Sequence, residues 1–273
     1  MTVLAKPAEA TAANMISIAG VELEMLERGD GAPMLYLHGG AGIAPDLAFI
    51  DLLARRRRVI APSHPGFGKS SLPDWLDSVD DIAHVYLELL DRLALARTDV
   101  VGLSLGGWIA AELAIRNTAR LASLTLVCAV GVRPEEGAKG DAMADMFRMS
   151  PEDNARRFYF DPDRVQRRLD GLAKADPRVL VRNRSTVVRL CYPDFINPEL
   201  AKWLHRIDTP TLLIWGANDG LVPLSFGETY RALVPRARLT VLPRAGHAPY
   251  EEQPEAFLQA FDDFLKNSNV IMR

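Results

Sequence analysis

The sequence predicts an α/β protein, with a mostly parallel central sheet, helices on both faces and a helical segment inserted partway along the chain. Three observations carry that expectation. Short apolar runs alternate with helical patterns from Pro33 to Val127. The alternation stops between about Gly131 and Glu199, where helical periodicity continues without strand runs (Met143, Met146, Phe147; Val165, Leu169, Leu172). It then resumes at Pro210. The core is therefore expected over 14–130 and 200–270, with residues 131–199 as a helical lid inserted in it.

Residues 1–13 read as a loose tail without the apolar block of a signal peptide. Met15 to Glu27 alternates around Gly20 as a hairpin would (Ile16, Ile18; Val21, Leu23, Met25). Pro33–Leu37 is a short buried strand that runs into His38-Gly39-Gly40-Ala41-Gly42. Asp46 to Arg57 places Leu47, Ile50, Leu53 and Ala54 on one helical side, and the basic run Arg55–Arg58 closes it where cations suit the helix dipole. Val59–Ala61 is the next strand, followed by a turn-rich loop, Pro62 to Ser70. Asp80 to Ala96 is a strong amphipathic helix. Asp99–Val101, a helix ending at Asn117, and Leu121–Val127 continue the alternation. After the insert come a strand at Pro210–Trp215, a helix over Ser225–Leu233, a strand at Leu239–Leu242 and a last helix, Pro254–Leu265. Strands separated by helices call for right-handed βαβ units and a parallel sheet.

A chain of 273 residues suits one large domain carrying an insertion. Hydrophobic residues at 48% and charged residues at 25% are ordinary for a soluble protein, and a net charge of −3 gives no footprint for nucleic acid or an anionic membrane. Cys128 and Cys191 lack metal spacing and read as reduced core residues. No stretch approaches a membrane span. The expectation is a cytoplasmic protein with a small-molecule substrate, no metal and no organic cofactor; a homo-oligomer is left open.

Val100-Val101-Gly102-Leu103-Ser104-Leu105-Gly106-Gly107 joins a buried strand to a helix through Gly-x-Ser-x-Gly. Glycines two residues either side let the chain turn sharply with Ser104 at the apex, its hydroxyl presented beside the unpaired N–H groups of the following helix. The bland alternative is a glycine-rich turn with a solvated serine. A hydroxyl nucleophile needs a base, and the base needs an orienting acid. Of five histidines, His84 and His205 fall in helical stretches and His38 and His64 in glycine-rich loops. His247 lies just past the last strand, where loops after parallel strands converge on one edge. Asp219, in Trp215-Gly216-Ala217-Asn218-Asp219-Gly220, follows a strand too; by itself it could equally be a turn aspartate bonded to its own backbone. An oxyanion would need fixed donors: the Leu105 N–H and a second from His38–Ala41, with Gly40 the first choice. Gly39, Trp108, Met143, Met146, Phe147, Phe158 and Tyr159 are the candidate substrate pocket, although such a stripe also serves as plain core.

These blocks together, His38-Gly39-Gly40, Gly102-x-Ser104-x-Gly106-Gly107, Trp215-Gly216-x-x-Asp219 and Gly246-His247, resemble the α/β-hydrolase superfamily over roughly Met15 to Leu265. With Pro65-Gly66-Phe67-Gly68-Lys69-Ser70 they are similar to its lidded serine-hydrolase branch, which holds meta-cleavage-product C–C hydrolases and small carboxylesterases. The resemblance implies an α/β-hydrolase fold and a Ser104–His247–Asp219 triad. Two positions depart from the C–C hydrolase pattern: Leu103 stands where those enzymes carry Asn, and Ala248 where they carry Trp. Ser104 itself argues against the branches that use an aspartate nucleophile. The leading expectation is hydrolysis of a small apolar ester, thioester or activated carbonyl through an acyl-enzyme. C–C cleavage of a diketone or meta-cleavage-type product is the first alternative, with Arg182, Asn183, Arg184 and Arg189 either pairing a substrate carboxylate or forming a solvated helix face. A ligand receptor that hardly turns over is the second.

Overall fold

The computed structural model describes residues 14–134 and 143–270. The tail 1–13 and the stretch 135–142 of the expected insert lie outside the described residues. In chain order the strands are β1 (Asn14–Ile18), β2 (Val21–Arg28), β3 (Pro33–Leu37), β4 (Arg58–Pro62), β5 (Thr98–Leu103), β6 (Leu121–Val127), β7 (Thr211–Gly216) and β8 (Ala237–Leu242). They form one eight-stranded sheet in the order β1-β2-β4-β3-β5-β6-β7-β8. The β1–β2 hairpin and the β2–β4 pair are antiparallel; β4, β3, β5, β6, β7 and β8 run parallel. Every residue of β5 and β7 is buried, as expected of central strands covered on both faces. From β3 the chain moves first to β4 on one side and later to β5 on the other, so the sheet has its switch point between the ends of β3 and β5, the place where open parallel sheets bind ligands.

The helices are α1 (Leu47–Ala54), α2 (Val79–Arg92), α3 (Leu105–Arg116), α4 (Pro151–Phe158), α5 (Pro162–Lys174), α6 (Pro177–Cys191), α7 (Leu200–Trp203), α8 (Leu224–Leu233), α9 (Pro249–Glu252) and α10 (Pro254–Val270). Phe49 of α1 stacks on Tyr250 (4.3 Å between centroids) and meets Phe257 of α10 edge-on at 5.2 Å. The basic run does more than close α1. Arg56 pairs with Asp262 of α10 at 2.5 Å, Arg57 with Asp99 of β5 at 2.7 Å, and Arg58, already in β4, with Glu27 of β2. α2 is shorter than its apolar pattern suggests. Ser78 and Asp81 form a capping box at its start, and Ala94, at φ 51°, turns the chain out of the helix before Ala96.

The turn between β5 and α3 is set by close backbone approach. A Cβ on Gly106 would fall on the Leu37 and His38 carbonyls at the end of β3, and one on Gly102 would fall on the Gly106 carbonyl. Backbone cannot give way there, so Gly106→Ala is expected to lower stability by about 3 kcal/mol or more. Gly171, on an open face of α5 with nothing within 4 Å of a Cβ, is the control. Gly171→Ala should gain about 0.5–1 kcal/mol. Urea unfolding midpoints check both, and a Gly106→Ala protein as stable as the parent would contradict the packing.

Candidate active site

Ser104 stands between β5 and α3 at φ 54°, ψ −111°, a region that non-glycine residues rarely adopt and hold only when their surroundings enforce it. Its N–H donates to Val127 O at 2.9 Å, and its carbonyl accepts from Gly107 N (3.0 Å), Trp108 N (3.2 Å) and Val130 N (3.3 Å). The hydroxyl is thus carried on a pinned backbone beside the Leu105 N–H, which has no partner within its own helix. Across the switch point, the turn after β3 is closed by Gly42 N to Gly39 O at 3.1 Å. A Cβ on Gly39 would touch Ser104 Cβ at 3.5 Å, and one on Gly40 would press on Val187 of α6 at 3.3 Å. The serine, the turn and the inserted helices therefore meet at one place.

Asp219 uses its two oxygens differently. Oδ1 accepts from Leu221 N and Val222 N, both at 2.9 Å, so the turn-aspartate reading holds for that atom. Oδ2 lies 2.7 Å from His247 Nδ1, with side-chain exposures of 0% and 4% for Asp219 and His247. A carboxylate can only accept, so Nδ1 carries a proton, and in the neutral ring that leaves the lone pair on Nε2, the tautomer a general base requires. Among the described residues no hydrogen bond joins the Ser104 hydroxyl to the imidazole. Such contacts are often long before substrate binds. The strand order brings the two sites near: Cys128, directly past β6 and next to the end of β5, has its Sγ within 4.8 Å of the ligand atoms of Asp219 and His247. Burial, then the Asp219 charge, push the Cys128 thiol well above its ordinary range, so it stays protonated.

Residues 34–260 match the alpha/beta hydrolase family. The chain belongs to that family. This hydrolase is 30% identical over 251 residues to pimeloyl acyl-carrier protein methyl ester esterase of Nitrosomonas europaea, covering 86% of this chain and 96% of that one. It is 29% identical over 267 residues to 2-hydroxy-6-oxo-2,4-heptadienoate hydrolase of Pseudomonas putida, covering 92% and 95%. Among solved structures, a variant of the meta-cleavage product hydrolase CumD from Pseudomonas fluorescens IP01 superposes with a TM-score of 0.77 at 25% identity, over 94% of this chain and 98% of that one. Family, fold and enzymatic character follow together. No described helix is long and apolar enough to cross a membrane.

His38 and His64, for which the sequence alone suggests no task, form a buried pair in this hydrolase. Their rings lie 3.7 Å apart. His38 Nε2 accepts from His64 N at 2.9 Å, so its Nδ1 carries the proton and donates to Gly39 O at 2.7 Å. His64 Nε2 donates to His38 O at 2.8 Å, and its Nδ1 accepts from Tyr86 Oη at 2.5 Å. Burial lowers the pKa of His38 to about 4 and that of His64 well below its ordinary value. Both stay neutral at physiological pH and fix the start of the Gly39–Gly40 turn. Asp46 plays a similar part nearby. Tyr36 (2.8 Å) and Tyr250 (3.0 Å) donate to its carboxylate, linking β3 to the segment just past His247, and burial raises its pKa to about 7.

α4, α5 and α6 each begin at Ser-Pro or Asp-Pro. Ser150, Asp161 and Asp176 accept from Asp153 N, Asp163 N and Arg178 N, a start signal that apolar periodicity alone misses. The two ends of the insert are joined where Gly131 N donates to Phe195 O (2.9 Å) and Asn197 N to Gly131 O (2.9 Å). Of the pocket candidates, Phe158 meets the His247 ring edge-on at 5.0 Å. Tyr159 turns its hydroxyl to Glu251 instead. Phe147 stacks on Phe195 at 5.5 Å, and Met143 and Met146 are half-buried in the same segment, tied by Ala144 N to Leu221 O at 3.0 Å. Trp108 is buried under the stem of the insert, its Nε1 donating to Glu112 at 3.0 Å. The four polar side chains singled out on α6 donate to backbone carbonyls. Arg182 donates to Gly66 O and Ser70 O, Asn183 to Ala41 O, Arg184 to Phe147 O, and Arg189 to Asp74 O and Leu76 O.

Proposed function

We propose that this α/β-hydrolase is a serine hydrolase of a small, apolar ester, thioester or activated carbonyl compound. The observation that carries the reading is the buried Asp219–His247 pair, hydrogen bonded at 2.7 Å at the strand edge where Ser104 is presented. His247 Nε2 takes the Ser104 proton as Oγ attacks the carbonyl. The Leu105 and Gly40 N–H groups hold the oxyanion. Collapse expels the alcohol or thiol, which takes the proton from the imidazolium and leaves an acyl-Ser104 ester. Water then attacks that ester, His247 again accepting its proton, and releases the acid. Residues 131–199 serve as a cap over this edge, with Phe158, Phe147, Met143 and Met146 supplying apolar walls. Commitment of Arg182, Arg184 and Arg189 to backbone carbonyls supports a neutral substrate.

The second reading is C–C hydrolysis of a diketone or meta-cleavage-type product by the same residues, supported by relatives such as the heptadienoate hydrolase at 29% identity. A substrate panel separates the two. Neutral p-nitrophenyl esters of graded acyl length are expected to turn over, and a short-chain ester to be preferred at least about tenfold in kcat/KM over an acidic 1,3-diketone, a difference of about 1.4 kcal/mol. The reverse order would overturn the ester reading in favour of C–C cleavage.

A further inference from the structure

The loops that carry Asp219 and His247 hang from the inserted helices as well as from the sheet. Gly220 N donates to Arg157 O at 3.1 Å and His247 N to Phe158 O at 2.7 Å. These are consecutive carbonyls at the C-terminal end of α4, where helix carbonyls lack intrahelical donors. The acid loop and the base loop therefore share one two-residue support. Approach is close: a Cβ on Gly246 would fall on Phe158 O. The adjoining α4–α5 turn is in turn held by one side chain. Glu252, in α9 one turn past His247, accepts from Gly246 N at 2.5 Å through Oε2 and from Asp161 N at 2.8 Å through Oε1. It thus bridges the residue before the imidazole to the N-cap of α5.

Resting on the serine-hydrolase reading above, we propose that Glu252 is a positioning residue for His247, clamping the imidazole's loop to the α4–α5 turn by accepting N–H bonds from both. Neighbouring groups reinforce the clamp from the side. Glu251 accepts from Tyr159 Oη and from Arg164 Nη1 (3.1 Å), and the Arg168 guanidinium lies 4.0 Å over the Phe158 ring that meets the imidazole edge-on. On this side the insert cannot swing away from the sheet as a rigid flap without releasing the base.

The test uses Glu252→Gln, which sets an amide donor against one of the two N–H groups, and Glu252→Asp, which keeps the charge but cannot span both. Fluorophosphonate titration first counts reactive Ser104 in the parent protein, which checks the serine reading separately, and then counts competent sites in each variant. Both variants are expected to lose about tenfold or more in kcat per titrated site on p-nitrophenyl acetate, with KM within about twofold, because displacement of a catalytic group by a fraction of an ångström acts on the chemical step. A role limited to stability would lower the melting temperature and the number of sites while leaving kcat per site unchanged, and that result overturns the proposal. If neither variant folds, Asp161→Pro decides it, because at φ −80° proline fits the backbone and removes the N–H that Glu252 Oε1 accepts, leaving Glu252 and the substrate pocket in place: an unchanged kcat per site there also overturns the proposal, and a selective fall in kcat supports it.

Discussion

Replacing Ser104 by alanine is expected to lower ester turnover by about 10⁶-fold, to the residue of catalysis left by binding and the oxyanion donors. The loss would be chemical. Among the described residues the Ser104 hydroxyl makes no hydrogen bond, so its removal leaves no buried partner unsatisfied. The positive φ of 54° is held by backbone contacts to Val127, Gly107, Trp108 and Val130 that alanine preserves, and alanine is no more strained there than serine. The melting temperature should therefore stay within about 2 °C of the parent. Steady-state kinetics with p-nitrophenyl acetate, fluorophosphonate labelling and thermal unfolding on the same samples check this. A well-folded Ser104→Ala protein with turnover within tenfold of the parent would remove the nucleophile from the mechanism.

What the sequence makes legible follows from how local each signal is. The Ser104 turn can be read because its glycines stand at a fixed spacing, two residues either side of the serine, although only Gly102 meets backbone within the bend, at Gly106, whereas Gly106 packs on Leu37 and His38 at the end of β3. The sheet can be read because its strands are buried on both faces and so appear as unbroken apolar runs, with β5 and β7 the clearest. Asp219 and His247 can be singled out as residues of loops that follow strands, although their hydrogen bond spans 28 residues. Contacts formed only by three-dimensional proximity leave no such trace. The His38–His64 pair joins two glycine-rich loops 26 residues apart, and nothing in either loop names its partner. Glu252 joins residues 6 and 91 positions away, and in sequence it is the second of two adjacent acids just ahead of the last helix pattern. The end of α2 is misjudged for a related reason. Leu93 continues the apolar stripe, but a left-handed turn at Ala94 ends the helix without a glycine to announce it. The arginines of α6 show the opposite limit: their charge suggests a ligand or solvent, and the loop carbonyls that hold them become visible only once the strands converge.

Asp219→Asn is expected to cost about 10⁴-fold in kcat while leaving the fold nearly untouched, and the reason lies in which oxygen does what. Oδ1 is committed to the N–H groups of Leu221 and Val222 at 2.9 Å each. In the asparagine variant only the carbonyl oxygen can satisfy them, since an NH₂ in that position would set donors against donors. The amide nitrogen is thereby forced to face His247 Nδ1, where Oδ2 accepts at 2.7 Å in the parent. Nδ1 must then offer a lone pair, the proton moves to Nε2, and the nitrogen proposed to accept the Ser104 proton can no longer take it. Asp219→Ala would not separate these effects, because it also strands the two backbone donors at a cost of about 1–3 kcal/mol each. Nitrogen NMR of the imidazole should report the Nδ1–H tautomer in the parent and the Nε2–H tautomer in Asp219→Asn, alongside the kinetic loss. If the tautomer switched and the rate did not fall, His247 would not be the base; if neither changed, the amide would have turned round, and the Leu221 and Val222 N–H groups would show it by faster hydrogen exchange.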